Sequence, residues 1–116
     1  MTLKAYQNTQ RITENAREAE YRLFGQVTGA LISAQREKRT GGPLVEVIEW
    51  NRRMWRTLAA DCLDDGNKLP EGLRANIVSL SLFVTRYSRD VIRNGAVIDP
   101  LIDINRNIMQ GLQGNG

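Results

Sequence analysis

Histidine is absent from this chain of 116 residues, and cysteine occurs once, at Cys62. Without an imidazole, the chain has no histidine general base, no partner for a serine or cysteine nucleophile, and no histidine metal ligand. A single cysteine forms no internal disulfide and builds no cysteine-rich zinc or iron–sulfur site. We therefore expect a protein that is not an enzyme and that has no cofactor or metal, in a reducing compartment.

Long apolar runs are also missing. No segment approaches the ~18–20 apolar residues of a membrane span, and Met1 to Gln10 has no hydrophobic core typical of a signal peptide. We expect a cytoplasmic protein with no membrane insertion. The hydrophobic fraction of 41% and the charged fraction of 25% are typical of a folded globular chain. The length suits a single domain over residues 1–116, with residues 1–14 as a weakly ordered arm or short helix.

Apolar residues recur every three or four positions in four segments, which indicates amphipathic helices. Turn residues separate the segments, at Gly41-Gly42-Pro43, Asp64 to Asn67, Asn94-Gly95 and Asp99-Pro100. The predicted core stripes are Ala16, Ala19, Leu23, Val27, Ala30, Leu31 and Ala34; then Leu44, Ile48, Asn51, Trp55, Leu58, Ala59 and Cys62; then Leu73, Ile77, Leu80, Val84, Tyr87 and Val91; and finally Leu101, Ile104, Ile108 and Leu112.

The ends of these segments also carry helix signals. Asn15 followed by Glu18 predicts the start of the first helix, and Arg39 before the glycine pair predicts its end. Asn94-Gly95 predicts a left-handed helix end, and Asp99 before Pro100 predicts the start of the last helix. The fold class is therefore all-α: a small antiparallel helical bundle of four main helices plus a short N-terminal helix or arm.

Two short motifs allow a chemical interpretation. The acidic turn Asp61 to Asn67 could hold a cation, but Lys68, Leu69 and Pro70 interrupt the spacing of a calcium loop, which favours an ordinary turn. Arg39 to Gly42 could cradle a phosphate, but the lysine and hydroxyl residue of a phosphate-binding loop are missing. A turn between helices fits both motifs.

Trp50 points away from the core stripe of the second helix when each residue turns the helix by ~100°. With Val47, Arg53 and Met54 it forms a candidate partner-binding edge, since aromatic and methionine side chains accept a hydrophobic helix from a partner. The alternative is a helix with two neighbours that buries a wide arc. Both interpretations remain open at this point.

Arginines form two clusters that raise the alternative of RNA binding. One cluster is Arg86, Arg89 and Arg93, and the other is Arg52, Arg53 and Arg56. The net charge of +3 is small and Asp90 interrupts the first cluster, so direct RNA contact is possible but is not favoured.

Four segments resemble the FlaF family of flagellar biosynthesis regulators. They are EYRLFGQVT at residues 20–28, WNRRMW at 50–55 with Asp61-Cys62, LPE to LRA at 69–75, and PLIDINR at 100–106. The resemblance covers residues 15–112. Its strength comes from several motifs in the same order and at matching separations.

The resemblance implies an alphaproteobacterial cytoplasmic protein that regulates flagellin production or acts as its secretion chaperone. Its implied partners are flagellin, through helical terminal segments that need cover before export, and the regulator FlbT, which acts on flagellin messenger RNA. The family brings no catalytic or ligand residues to transfer. The function expected is flagellin binding, with post-transcriptional regulation through flagellin RNA as the alternative.

Overall fold

A computed structural model describes the backbone of residues 3–114 and the side chains of residues 18–113. This part of the chain contains no strand and forms four helices. They are α1 (Leu3–Arg36), α2 (Gly41–Cys62), α3 (Glu71–Asn94) and α4 (Asp99–Gly114). The predicted all-α class is confirmed.

Each helix packs beside its neighbours in the chain, and α1 closes the ring by packing against α4. The α1/α4 pair is antiparallel, because Thr28 contacts Met109 through a hydroxyl–sulfur distance of 3.9 Å while the later residue Gln35 donates a hydrogen bond to the earlier residue Asp99 at 2.6 Å. Short connections likewise reverse the chain after α1, α2 and α3. The bundle predicted from the four stripes is confirmed.

The first helix begins earlier than predicted. Its backbone is helical from Leu3, so Asn15 and Glu18 lie inside α1 and do not begin it. The predicted N-terminal arm is therefore the first part of α1, since no glycine or proline precedes Gly25 to interrupt the helix. Predicted core residue Ala16 lies outside the described side chains.

The end of α1 also differs from the prediction. The helix stops at Arg36, before Arg39, because Lys38 takes the left-handed conformation with φ 53°. The Arg39 N–H then reaches the Ala34 carbonyl at 3.0 Å, and the Lys38 N–H reaches Gln35 at 3.2 Å. These bonds close the helix one turn before the glycine pair that the sequence indicated.

The core faces differ from the predicted stripes at particular positions. On α1, Phe24 is buried and Leu23 is 36% exposed, so the prediction that Leu23 is a core residue was wrong. Phe24 packs edge-on against Trp55, with ring centroids 5.6 Å apart. A large aromatic ring fills the space between α1 and α2 that the sequence had assigned to its neighbour.

On α3 the buried face is narrower than predicted. Ile77, Val84 and Val91 are fully or almost fully buried, as the stripe indicated, whereas Leu80 is only partly buried against the core. The small residues Ser81 and Ser88 are buried instead. They let α2 approach α3 closely, and these two helices form the most extensive contact in the bundle.

Both ends of α3 are fixed by specific contacts. At the C-terminal end, Gly95 has the left-handed φ of 70°, which confirms the predicted stop. Near the other end, the Arg74 Nε donates to the carbonyl of Cys62 at 2.9 Å and Arg74 also reaches the carbonyl of Asp64. The arginine therefore supplies hydrogen bonds and positive charge at the C-terminus of α2.

Candidate functional site

A polar network occupies the centre of the bundle. The Trp55 Nε1 donates to Asn105 Oδ1 at 2.8 Å. The Asn105 Nδ2 donates to Asn51 Oδ1 at 2.8 Å and to Thr28 Oγ1 at 3.1 Å. Asn51 and Asn105 are completely buried and Thr28 is 5% exposed. One side-chain amide thus links α1, α2 and α4 in the buried interior, where such bonds specify one arrangement of the helices.

The residues of this network come from three of the four segments that resemble the FlaF family. Thr28 ends the first motif, Asn51 and Trp55 belong to the second, and Asn105 belongs to the last. These residues contact one another inside the bundle, so their role is to hold the helices together. A partner has to bind to other residues, on the surface.

An apolar groove runs between α1 and α2, and we call it the Trp50 groove. Its cavity measures about 280 Å³. Most of its lining comes from α2, from Trp50 to Asp61, which is about three helical turns or ~16 Å. Its lining residues are Glu20, Leu23, Phe24, Trp50, Arg53, Met54, Thr57, Leu58 and Asp61.

Three of the four predicted partner-binding residues meet at this groove. Trp50 is partly buried against the core, Arg53 is exposed, and Met54 is 6% exposed at the base. Val47 does not line the groove, since it is buried in the core at 7% exposure. Val47 and Met54 show that α2 buries a wide arc, while Trp50 and Arg53 remain available at the edge of that arc.

Charged groups lie at the rim of the groove. Glu20 of α1 and Asp61 of α2 lie toward one end of the Trp50 groove, and Arg53 lies nearer Trp50. Leu23, which is 36% exposed, extends the apolar floor on the α1 side. An apolar floor with charges of both signs at its edge is suited to an amphipathic helix, which presents the same arrangement in reverse.

A second cavity brings residues of both predicted arginine clusters together. We call it the α2/α3 cavity. It measures about 280 Å³ and is lined by Glu49, Arg52, Thr85, Ser88, Arg89, Ile92 and Arg93. Arg53, Arg56 and Arg86 do not line it. The Arg52 guanidinium donates to Glu49 Oε2 at 2.6 Å, so part of its hydrogen-bonding capacity is already used.

An exposed apolar surface, which the sequence patterns did not predict, is formed by α3 and the residue that follows α2. Leu63 is 70% exposed and Leu82 is 61% exposed, and both line a shallow depression together with Val78. Val78 and Leu82 are four residues apart, so they share one face of α3. The sequence could have indicated this surface, because Val78 and Leu82 are apolar residues that lie outside the predicted core stripe of α3.

The acidic motif forms a turn, and the Arg39 to Gly42 motif joins the end of the α1–α2 connection to the first residues of α2. In the acidic turn, Asp64 Oδ1 accepts the Gly66 N–H at 2.9 Å and Asn67 Oδ1 accepts the Leu69 N–H at 2.9 Å. No group of three acidic or cysteine side chains that could hold a metal ion occurs in the described part of the chain. At the other motif, Thr40 precedes α2 without a side-chain cap.

Cys62 lies at the buried end of α2, at 2% exposure. Burial raises the pKa of its thiol, and the charge of Glu20 raises it further, while Arg74 acts in the opposite direction. A buried thiol with a raised pKa is a poor nucleophile. Among the described helices, none is long and apolar enough to cross a membrane.

Comparison with known proteins identifies the family of the chain. The family model for flagellar protein FlaF matches residues 2–112. Neither the curated proteins nor the solved structures give a match. The matched range includes all the contacts of the central network and the whole Trp50 groove. The chain therefore belongs to the FlaF family of flagellar proteins.

Proposed function

We propose that this flagellar protein is a cytoplasmic flagellin-binding regulator and secretion chaperone, and that it covers a helical terminal segment of flagellin. The observation that carries the proposal is the Trp50 groove. It offers an aromatic side chain, a methionine and a leucine along about three turns between two helices. Grooves of this type accept the apolar face of an amphipathic helix, with anchors spaced three or four residues apart.

The bundle is suited to hold a partner without unfolding. The groove rests on Phe24 and Leu58, which are 1% and 4% exposed. Phe24 in turn packs against Trp55, whose indole is fixed by Asn105. The floor is therefore formed by side chains that are already packed, so little ordering free energy should be lost when a helix binds.

Trp50 offers a direct optical test of the proposal. The chain has two tryptophans, and Trp55 is already completely buried. Flagellin bound in the groove should therefore shift the emission of Trp50 to shorter wavelength and leave Trp55 unaffected. The matched variant is Trp50→Phe, which keeps an aromatic ring in the groove. Its emission should not change upon flagellin addition, although it still binds.

A flagellin titration at two salt concentrations adds a second criterion. Binding in an apolar groove changes little with salt, whereas binding to RNA phosphates weakens steeply. Flagellin binding without a shift in Trp50 emission would place the partner elsewhere, and the surface at Leu63 and Leu82 would then be the next one to test. Saturable binding of flagellin leader RNA with no flagellin binding would support the RNA alternative.

Direct RNA binding has less support in the contacts of the bundle. The two predicted arginine clusters do not form one continuous track, since only Arg52, Arg89 and Arg93 line a common cavity. No aromatic side chain lines that cavity, so it offers no platform on which a base could stack. Regulation of flagellin messenger RNA is more simply assigned to the partner FlbT.

A further inference from the structure

Two residues that line the α2/α3 cavity carry a buried polar atom that has no hydrogen-bond partner. Ser88 is 1% exposed and its Oγ has no hydrogen-bond partner. The Nε of Arg52 is also buried and without a partner. Both atoms belong to residues that line the same cavity. A buried hydroxyl or guanidinium N–H that lacks a partner costs free energy, which a bound group can recover.

The charge around these atoms is positive. Arg52, Arg89 and Arg93 contribute three guanidinium groups, and Glu49 contributes one carboxylate. Arg89 and Arg93 make no ion pair within the described part of the chain. Arg89 and Arg93 are four residues apart on α3, so their side chains project from the same face. Donors and positive charge therefore converge from two helices.

We propose that the α2/α3 cavity binds a phosphate-sized oxyanion, taken up as free phosphate or as a phosphomonoester. A dianion matches the local excess of two positive charges, and planar guanidinium groups bind its oxygens in pairs. The Ser88 hydroxyl and the Arg52 Nε–H supply hydrogen bonds from the buried side. The site lies on the α3 side of α2, away from the Trp50 groove.

The lining of the cavity favours a single anionic group over a nucleic-acid strand. Its volume of about 280 Å³ is enough for one phosphate with some water. Arg86, about one turn before Arg89 and two turns before Arg93, does not extend the line of positive charge into the cavity. Glu49 would moreover repel neighbouring phosphates of a polyanion.

The test is a titration of the intact protein with inorganic phosphate, followed by nuclear magnetic resonance at constant ionic strength. We expect saturable shifts at the Ser88 amide and the Arg52 Nε–H. Ser88→Ala and Arg89→Gln should each weaken the binding by ~10-fold, as loss of a charge-assisted contact does. The matched control is Arg86→Gln, which removes an exposed arginine from the same helix and should bind as the wild type does.

A titration with phosphoserine and one with a short single-stranded RNA separate the sources of phosphate. Phosphoserine binding at the same resonances supports a phosphomonoester, and binding of phosphate alone supports the free ion. The proposal is overturned if no resonance saturates up to ~10 mM phosphate. It is also overturned if Arg86→Gln weakens binding as much as Arg89→Gln, or if RNA alone binds. Melting curves of all three variants establish that each is folded.

Discussion

Trp55 donates its indole N–H to Asn105 across the diagonal of the bundle, at 2.8 Å, although the backbones of α2 and α4 do not come close to each other. The two side chains meet in the space that the four helices enclose. Both are completely buried. This contact, with the bonds to Asn51 and Thr28, determines how α2 and α4 face each other.

Replacement of Asn105 should therefore be among the most damaging single changes. Asn105→Ala leaves the indole N–H of Trp55 and the side-chain oxygen Oδ1 of Asn51 buried without partners, and it opens a small cavity. We expect a loss of ~2–4 kcal/mol in the free energy of unfolding, measured by urea denaturation. The control is Asn107→Ala on the exposed face of α4, which should change it by less than ~0.5 kcal/mol. Equal effects of the two variants would contradict a structural role for the network.

The α3 face gives a second stability prediction. Ile77 is completely buried, so Ile77→Ala should cost ~2–5 kcal/mol through lost contacts and a cavity. Leu80 is only partly buried, and Leu80→Ala should cost clearly less, because solvent can fill part of the space. Urea denaturation of both variants provides the comparison. A larger loss of unfolding free energy for Leu80→Ala than for Ile77→Ala would contradict this and would support Leu80 as a core residue, as the apolar stripe predicted.

Cys62 leads to a prediction about pH and reactivity. Its pKa is raised in the folded protein, so the unfolded chain releases the thiol proton at lower pH than the folded chain does. The contribution of Cys62 to stability is therefore complete below about pH 8.5 and declines as the pH rises above it. Burial also raises the pKa of the Tyr87 hydroxyl, and the charges of Asp90 and Asp99 raise it further. The contribution of Tyr87 to stability therefore also declines as the pH rises, but at a higher pH than that of Cys62.

Alkylation of Cys62 checks this prediction. At pH 8 the thiol should react with a maleimide only when the bundle opens, so that the rate rises with urea in step with unfolding. Addition of reductant should leave the melting temperature unchanged. Fast alkylation of the native protein, at the rate of the urea-unfolded chain, would contradict the buried position of the thiol.

Local patterns predicted the helices well. The steps of three and four residues located all four, and Asn94-Gly95 marked the end of α3, because these signals depend on residues close in the chain. The end of α1 was missed because Lys38 adopts a conformation that glycine adopts more readily. A charged residue in the left-handed region leaves little signal in a sequence.

Tertiary packing decided the features that the sequence did not reveal. Leu23 and Phe24 are neighbours, and only the position of α2 selects Phe24 for the core. Asn105 has the same helical spacing as Leu101, Ile108 and Leu112, so its position already indicated burial. It was not predicted because the core stripe was traced through apolar residues alone. The meeting of Arg52 with Arg89 and Arg93 depends on how α2 and α3 are aligned, which no local pattern specifies.

The candidate groove was predicted in part. The angular position of Trp50 indicated that it lies beside the main stripe, and the structure places it at the edge of a groove with Arg53 and Met54. Val47, which was assigned to the same edge, does not line this groove. Val47 is buried because α2 has neighbours on two sides, and a single-helix projection includes neither of them.

The most direct test of the account is a calorimetric titration of flagellin into the wild type, Trp50→Ala and Leu82→Ala. Both variants remove an apolar side chain at the surface, and urea denaturation establishes how far each remains folded. If the Trp50 groove binds flagellin, Trp50→Ala should weaken binding by ~2 kcal/mol or more, as loss of a central aromatic anchor does, and Leu82→Ala should bind as the wild type does. Unchanged binding by folded Trp50→Ala, or a loss confined to Leu82→Ala, would contradict the account.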